Sequence, residues 1–237
     1  MYNLIPYAIV IVVAILTGFV ASLGYTTILC RFKDNPEGDY ETKFKFKEKF
    51  SWKSFTSYTA VSIILTFLIA FGLSYGGIYP IIYLLNLPML SLFVMATITC
   101  IRTDKKHWVI PNTMTYTTGF VAFLAFLIPV ILTGDSYLKL EFGIMAVMSI
   151  VVFLLGLLVK DKIGGGDIKY IILMIWCFGA IYANYALLLA CAISIIRYIP
   201  QYFKVKKGEI DKPLIQFGID LGIASLVMTP FVILMRF

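Results

Sequence analysis

The stretch Ile163-Gly164-Gly165-Gly166-Asp167-Ile168-Lys169 separates two apolar runs and places three consecutive glycines before a carboxylate. Backbone that leaves the helical form near a membrane is costly unless protein or water satisfies its peptide groups. An acidic side chain at such a place indicates a functional site. The same residues also fit a connecting turn in which Asp167 only caps the next helix.

The composition around this stretch predicts the class of the protein. Of the 237 residues, 60% are hydrophobic and 14% are charged, and the mean hydropathy is +0.91. A soluble domain of this size could not bury so much apolar surface. The sequence therefore predicts an all-α polytopic integral membrane protein. Its formal net charge is +7, and the basic residues lie between the apolar runs. This placement favours contact with an anionic lipid bilayer over binding of nucleic acid.

The apolar runs predict about eight transmembrane helices, at roughly 20 residues per crossing. The first is expected to be a retained span, because no small-residue cleavage pattern follows it. A turn between Phe178 and Asn184 is expected to divide the sixth span from the seventh. The expected spans are 3 to 29, 54 to 75, 79 to 101, 110 to 133, 141 to 160, 168 to 181, 183 to 200 and 213 to 235.

The basic residues predict the orientation of these spans. Alternate loops contain eighteen of the twenty Lys and Arg residues, which leaves Lys139 and Arg236 on the other side. Because loops rich in Lys and Arg stay in the cytoplasm, we expect both termini to lie outside. Asp104 and Asp167 are then at cytoplasmic helix ends.

Asp104 is a second carboxylate at the mouth of an apolar segment, seven residues before Pro111. Pro111 suits the start of the fourth span, since the N–H that proline lacks would be unpaired there. Lys105 and Lys106 beside Asp104 also fit an ordinary ion-pair turn at the surface. His107 is expected to be an interfacial polar residue, because the chain has no second histidine to complete a zinc site or a catalytic triad.

Asp220 is a third carboxylate, expected about two turns into the eighth span. It must face protein or water to be tolerated there, either as a structural hydrogen-bonding group or as support for a site. Gly218 and Gly222 beside it would let a neighbouring helix approach closely. The four cysteines stand singly without C-x-x-C spacing, so neither a zinc site nor a disulfide framework is predicted.

Two carboxylates that share a site cannot both ionise cheaply, so one keeps a proton while the other stays charged. The charged group can deprotonate a water, and the protonated group can polarise a peptide carbonyl, which hydrolyses an amide bond. Asp104 and Asp167 are therefore candidate catalytic residues. Lys169 could raise the local positive potential or simply extend to the interface. A small transporter whose acidic residues carry protons or ions is the alternative function.

The paired pattern resembles a known family. Gly164-Gly165-Gly166-Asp167 matches the G-x-G-D signature of membrane aspartyl proteases, and Asp104 followed by Ile110-Pro111-Asn112 resembles the first catalytic aspartate of the type IV prepilin peptidases. Lys212-Pro213 with Phe217-Gly218 and Gly222 is similar to another segment of that family. The resemblance covers about residues 90 to 235 and implies that the Asp104–Asp167 dyad is supported by Gly164, Gly165, Gly166, Lys169, Pro111 and Asn112.

The resemblance also implies a function. Residues 54–237 would form a transmembrane aspartyl endopeptidase domain, and residues 1–53 the first helix with a short basic cytoplasmic segment. The enzyme would cleave the basic leader from type IV prepilin or pseudopilin precursors at the cytoplasmic face of the cell membrane, with no cofactor. Preflagellins or other membrane helices are alternative substrates for the same dyad.

One departure from the family concerns residues 31–53. Larger members carry two zinc-binding C-x-x-C pairs there and methylate the product with S-adenosylmethionine, whereas this segment contains no cysteine. No metal is therefore expected, and S-adenosylmethionine only if the methyltransferase activity is retained.

Because basic loops would repel a basic leader, we expect nearby acids to offset them. The candidates are Glu37, Asp39 and Glu41.

Overall fold

The computed structural model describes residues 5–34, 51–75, 80–158, 164–207 and 216–236. The segment 31–53 is described only at its two ends. The expectations for Glu37, Asp39 and Glu41, and for Lys212-Pro213, lie outside the described residues.

The described chain is all-helical, which confirms the expected fold class. All seven of its helices are long and apolar enough to cross a membrane, so the chain is a multi-pass membrane protein. The helices are α1 (Ile5–Asp34), α2 (Trp52–Tyr75), α3 (Pro80–His107), α4 (Asn112–Thr133), α5 (Ser136–Leu158), α6 (Gly165–Lys206) and α7 (Phe217–Arg236).

The expected count of eight helices is wrong, because the sixth and seventh expected spans both fall within α6. α6 consists of two helical arms joined at Gly179, whose φ of 78° and ψ of 167° are not helical. Essentially only glycine adopts this backbone conformation. The expected turn is therefore present as a single residue inside one helical element, and no separate loop divides the two spans.

Contacts with α7 show that the chain reverses direction at Gly179. In the first arm, the Cys177 carbonyl accepts a hydrogen bond of 3.4 Å from Arg236, at the end of α7. In the second arm, Arg197 pairs with Asp220, at the start of α7. Since α7 is about 30 Å long, the second arm must run back along it. Both ends of α6 therefore lie at the same end of the bundle.

We call the end of the bundle that carries Asp104 and Asp167 the aspartate end, and the end that carries Gly179 and Arg236 the opposite end. α3 is the central helix, with 72% of its most apolar stretch buried, whereas α5 is peripheral, with 11%. α7 packs closely on α3, since a Cβ on Gly222 would overlap with the side chain of Ile101. The expected close approach at this glycine is confirmed.

Candidate active site

Asp104 lies in the last turn of α3, which ends at His107. Trp108 ends the helix by adopting a φ of 57°, while its N–H donates to the Asp104 carbonyl at 2.9 Å. The chain then reaches Pro111, which is the extended N-cap of α4 and not its first helical residue. Asp104 is only 7% exposed, and Lys105 beside it is exposed. The Asp104 carboxylate therefore does not belong to a surface ion-pair turn.

The first turn of α7 holds Asp104 in two ways. The backbone N–H of Ile219 donates to Oδ2 of Asp104 at 3.1 Å. The side-chain nitrogen of Gln216 donates to the Asp104 carbonyl at 2.9 Å. Because the first N–H groups of a helix lack the usual partner in the preceding turn, the start of α7 has donors to offer. Sequence reasoning missed both contacts.

Asp167 is half-buried in the first turn of α6. Its backbone N–H donates to the Gly164 carbonyl at 3.0 Å. Oδ2 of Asp167 lies 3.2 Å from the position that a Cβ on Gly164 would occupy. One oxygen is thus close to the helix start, although the N-cap of α6 is Gly164 and not Asp167, and the other oxygen lies near Gly218.

The two carboxylates meet at Gly218, in the first turn of α7. A Cβ on Gly218 would lie 2.8 Å from Oδ2 of Asp104 and 3.1 Å from Oδ1 of Asp167. The sum of these distances is the farthest apart that the two oxygens can be. The missing side chain of Gly218 therefore leaves a small space that both carboxylates border.

A cavity of about 710 Å³ adjoins this space at the aspartate end. All eight residues that were predicted from the sequence to be catalytic or supporting line this cavity. Thr27 and Ile28 of α1 and Gln216 and Phe217 at the start of α7 add to the wall. The eight expected residues are Asp104, Pro111, Asn112, Gly164, Gly165, Gly166, Asp167 and Lys169.

The supporting residues hold two walls of the cavity together. Nζ of Lys169 donates to Oδ1 of Asn112 at 3.0 Å and lies 5.4 Å from the centre of the Tyr116 ring. A Cβ on Gly166 would be 3.1 Å from Cβ of Ile110. The glycine stretch therefore packs directly on the Ile110-Pro111-Asn112 segment, and Lys169 connects α6 to α4.

A buried hydrogen bond joins α6 to α3 and limits how far one helix can slide along the other. Tyr170, about one turn after Asp167, is fully buried, and its hydroxyl lies 2.6 Å from Oγ1 of Thr97. Because neither side chain lines the cavity, this bond acts on the dyad only by fixing the two helices that carry it. It connects two of the three helices that meet at the carboxylates.

Asp220 lies in the first turn of α7, nearer the helix start than expected. It is 0% exposed and does not line the cavity. Its carboxylate accepts a hydrogen bond of 2.5 Å from Ser194 and forms an ion pair with Arg197. Sequence reasoning counted Arg197 among loop residues. A cation next to an apolar run requires a partner, and that rule could have predicted that Arg197 is paired, though not that its partner is Asp220.

The remaining candidate ligands lie apart. Cys100 and Cys177 are both buried thiols without a disulfide, and His107 ends α3. Across the described residues, His, Cys, Asp and Glu form no group of three or more that could hold a metal ion. The expectations about zinc and S-adenosylmethionine remain predictions.

Comparisons of the chain with known protein families, with curated proteins and with solved structures found no match. The function must therefore be argued from the geometry of the cavity and from its chemistry.

Proposed function

We propose that this protein is a membrane aspartyl endopeptidase of the type IV prepilin peptidase kind, which removes the basic leader of prepilin-like precursors at the cytoplasmic face of the membrane. One observation carries the proposal. Oδ2 of Asp104 and Oδ1 of Asp167 both lie within 3.1 Å of a single point beside Gly218, next to a large cavity. Paired carboxylates around one small space suit the hydrolysis of a peptide bond.

The reaction needs one charged and one protonated carboxyl group, which is the cheapest state for two acids so close together. The charged group takes a proton from a water, whose oxygen attacks the carbonyl carbon of the peptide. The protonated group donates to the carbonyl oxygen, and a proton then passes to the leaving amine. The Ile219 N–H supports this chemistry by holding Oδ2 of Asp104 in place.

The cavity wall suits an extended peptide. Gly164, Gly165 and Gly166 carry no side chain and line the cavity beside Asp167, so the backbone of a substrate can approach the carboxylates closely. Removal of a leader at the cytoplasmic face fits the orientation expected from the sequence, in which eighteen of the twenty Lys and Arg residues fall on the side of the membrane that carries Asp104 and Asp167. The apolar helix of the precursor would remain in the bilayer beside the bundle.

The test is cleavage of a prepilin precursor in liposomes by the wild type, Asp104→Asn and Asp167→Asn. Because each substitution removes a proton acceptor, we expect each to lower the cleavage rate at least about 100-fold. The matched control is Asp135→Asn. Asp135 lies in an exposed turn, and its Oδ1 accepts the Tyr137 N–H at 2.9 Å, a bond that asparagine can also accept. This control should keep wild-type activity.

Two results would contradict the proposal. Full activity in either active-site variant would remove that aspartate from the mechanism. Failure of the folded wild type to cleave several precursors, combined with proton or ion flux that both variants abolish, would instead identify a transporter. The mass of the product, measured with and without S-adenosylmethionine, tests methylation in the same reactions.

A further inference from the structure

A polar cluster around the buried Asp220 carboxylate lies just behind the dyad. Ser194 and Arg197 are three residues apart on the second arm of α6, so they share one face of the helix. Both bind the carboxylate of Asp220, which is 0% exposed. A charge so deeply buried must be paired, and these two side chains provide the partners. The cluster attaches the second arm of α6 to the first turn of α7.

This turn contains the groups that border the dyad. Asp220 directly follows Ile219, whose N–H donates to Asp104 at 3.1 Å. Gly218, one residue earlier, leaves the space between the carboxylates of Asp104 and Asp167. A shift of the turn would therefore lengthen the bond to Asp104 and change the width of that space. The position of the turn depends on what holds Asp220.

We propose that Asp220, Arg197 and Ser194 are positioning residues for the dyad. They hold the start of α7 at the depth and rotation at which Ile219 and Gly218 align the two carboxylates. This inference depends on the proposed peptidase function for its catalytic consequence, though not for its structural one. None of the three residues lines the cavity, so the cluster acts on the dyad and not on the substrate.

The opposite end of the bundle provides a matched control. There Arg236 pairs with Glu141 at 2.7 Å, and their side chains are 9% and 21% exposed. The Arg236–Glu141 pair is distant from the dyad, since Arg236 ends α7 and Asp220 lies in its first turn. Glu141→Gln therefore removes one charge from an arginine–carboxylate pair, as Asp220→Asn does, without moving the start of α7.

The kinetic test compares Asp220→Asn with Glu141→Gln on one precursor. Because small misplacements of catalytic groups are costly, we expect Asp220→Asn to lower kcat about 10- to 100-fold. KM should change less than kcat, since only Gln216 and Phe217 of the cavity wall belong to the start of α7. Glu141→Gln should keep the wild-type kcat even where it lowers the melting temperature. Arg197→Lys should retain more activity than Arg197→Met, because it keeps the charge that pairs with Asp220.

A second measurement is independent of catalysis. Hydrogen exchange of a peptide that covers residues 216–222 includes the Ile219 N–H among its amides, and it should become faster in Asp220→Asn but not in Glu141→Gln. Unchanged exchange in folded Asp220→Asn, or an equal loss of kcat in both variants, would overturn the inference. If the wild type cleaves no precursor, the peptidase proposal fails, and the exchange rates alone still decide whether the cluster holds the turn.

Discussion

The two ends of the bundle contain similar ion pairs in different surroundings. Each end contains an arginine–carboxylate ion pair. At the aspartate end this is Arg197–Asp220, whose side chains are 34% and 0% exposed, and at the opposite end it is Arg236–Glu141. Each pair also lies near a glycine at which a Cβ would meet other side chains. Buried ion pairs are weak indicators of stability by themselves, so their surroundings must indicate what they do.

The glycines show the difference. At the opposite end, a Cβ on Gly179 would lie 2.6 Å from Cζ of Arg236 and 2.7 Å from Oε1 of Glu141. Arg236 also lies over the Phe126 ring, 4.4 Å from its centre. The space beside Gly179 is thus filled by other side chains. At the aspartate end, the space beside Gly218 is bordered by the two carboxylates and lies next to a cavity. One glycine permits packing, and the other leaves a space beside the cavity, in which the proposed reaction would take place.

The largest effect should come from Gly179→Ala. Alanine at a φ of 78° and a ψ of 167° is strained, and its Cβ would displace the Arg236–Glu141 pair. We expect the free energy of unfolding to fall by about 3 kcal/mol or more. Thermal unfolding in detergent and the yield of folded protein measure this loss.

Gly143→Ala on α5 is the control for that substitution, because a Cβ there meets nothing within 4 Å. Alanine also favours the helix by roughly 0.5–1 kcal/mol over glycine. The control should therefore be at least as stable as the wild type. A Gly179→Ala protein with an unchanged melting temperature would show that the reversal of α6 does not depend on this residue.

Gly218→Ala should come next, and it should impair activity instead of folding. The new methyl would lie 2.8 Å from Oδ2 of Asp104, an atom at the end of a side chain that can rotate away. We expect kcat to fall about 100-fold, because the dyad is displaced, with a melting temperature close to that of Gly143→Ala. If Gly218→Ala fails to fold, or if it keeps the wild-type kcat, then Gly218 and Gly179 do not differ in this way.

The smallest effect should come from Lys169→Met. This change removes the hydrogen bond to Asn112 and the contact with the Tyr116 ring. Partly exposed contacts of these kinds contribute up to about 1 kcal/mol each. We expect kcat/KM to fall less than about tenfold, compared with Lys204→Met on the exposed end of α6 as control. A loss above 100-fold would place Lys169 in the chemistry and not only in the wall.

Hydropathy predicted the helices well because a span requires about 20 apolar residues wherever it packs. The second span was expected at 54 to 75, and α2 is Trp52–Tyr75. The fourth was expected at 110 to 133, and α4 is Asn112–Thr133. The count failed only at α6. A reversal at one glycine needs no polar loop, so Gly179 has little signature in a hydropathy pattern.

The dyad was predictable in part. The order and spacing of Asp104, Pro111 and the Gly164-Gly165-Gly166-Asp167 motif predicted residues that the structure places around one cavity. The hydrogen bond from Ile219 could not be predicted in this way, because a backbone donor exists at every residue except proline. Arg197 was misjudged because the sequence does not show that the second arm of α6 returns it to Asp220.

Local composition therefore determines that this chain enters a membrane and which segments cross it, since the free energy of transfer depends on the side chains in each segment. The site depends on contacts between distant parts of the chain. Asp104, Asp167 and Gly218 come from three helices, which are joined by the contacts of Tyr170 with Thr97 and of Asp220 with Arg197. Such a meeting is a property of how helices pack, and no single segment of sequence contains it.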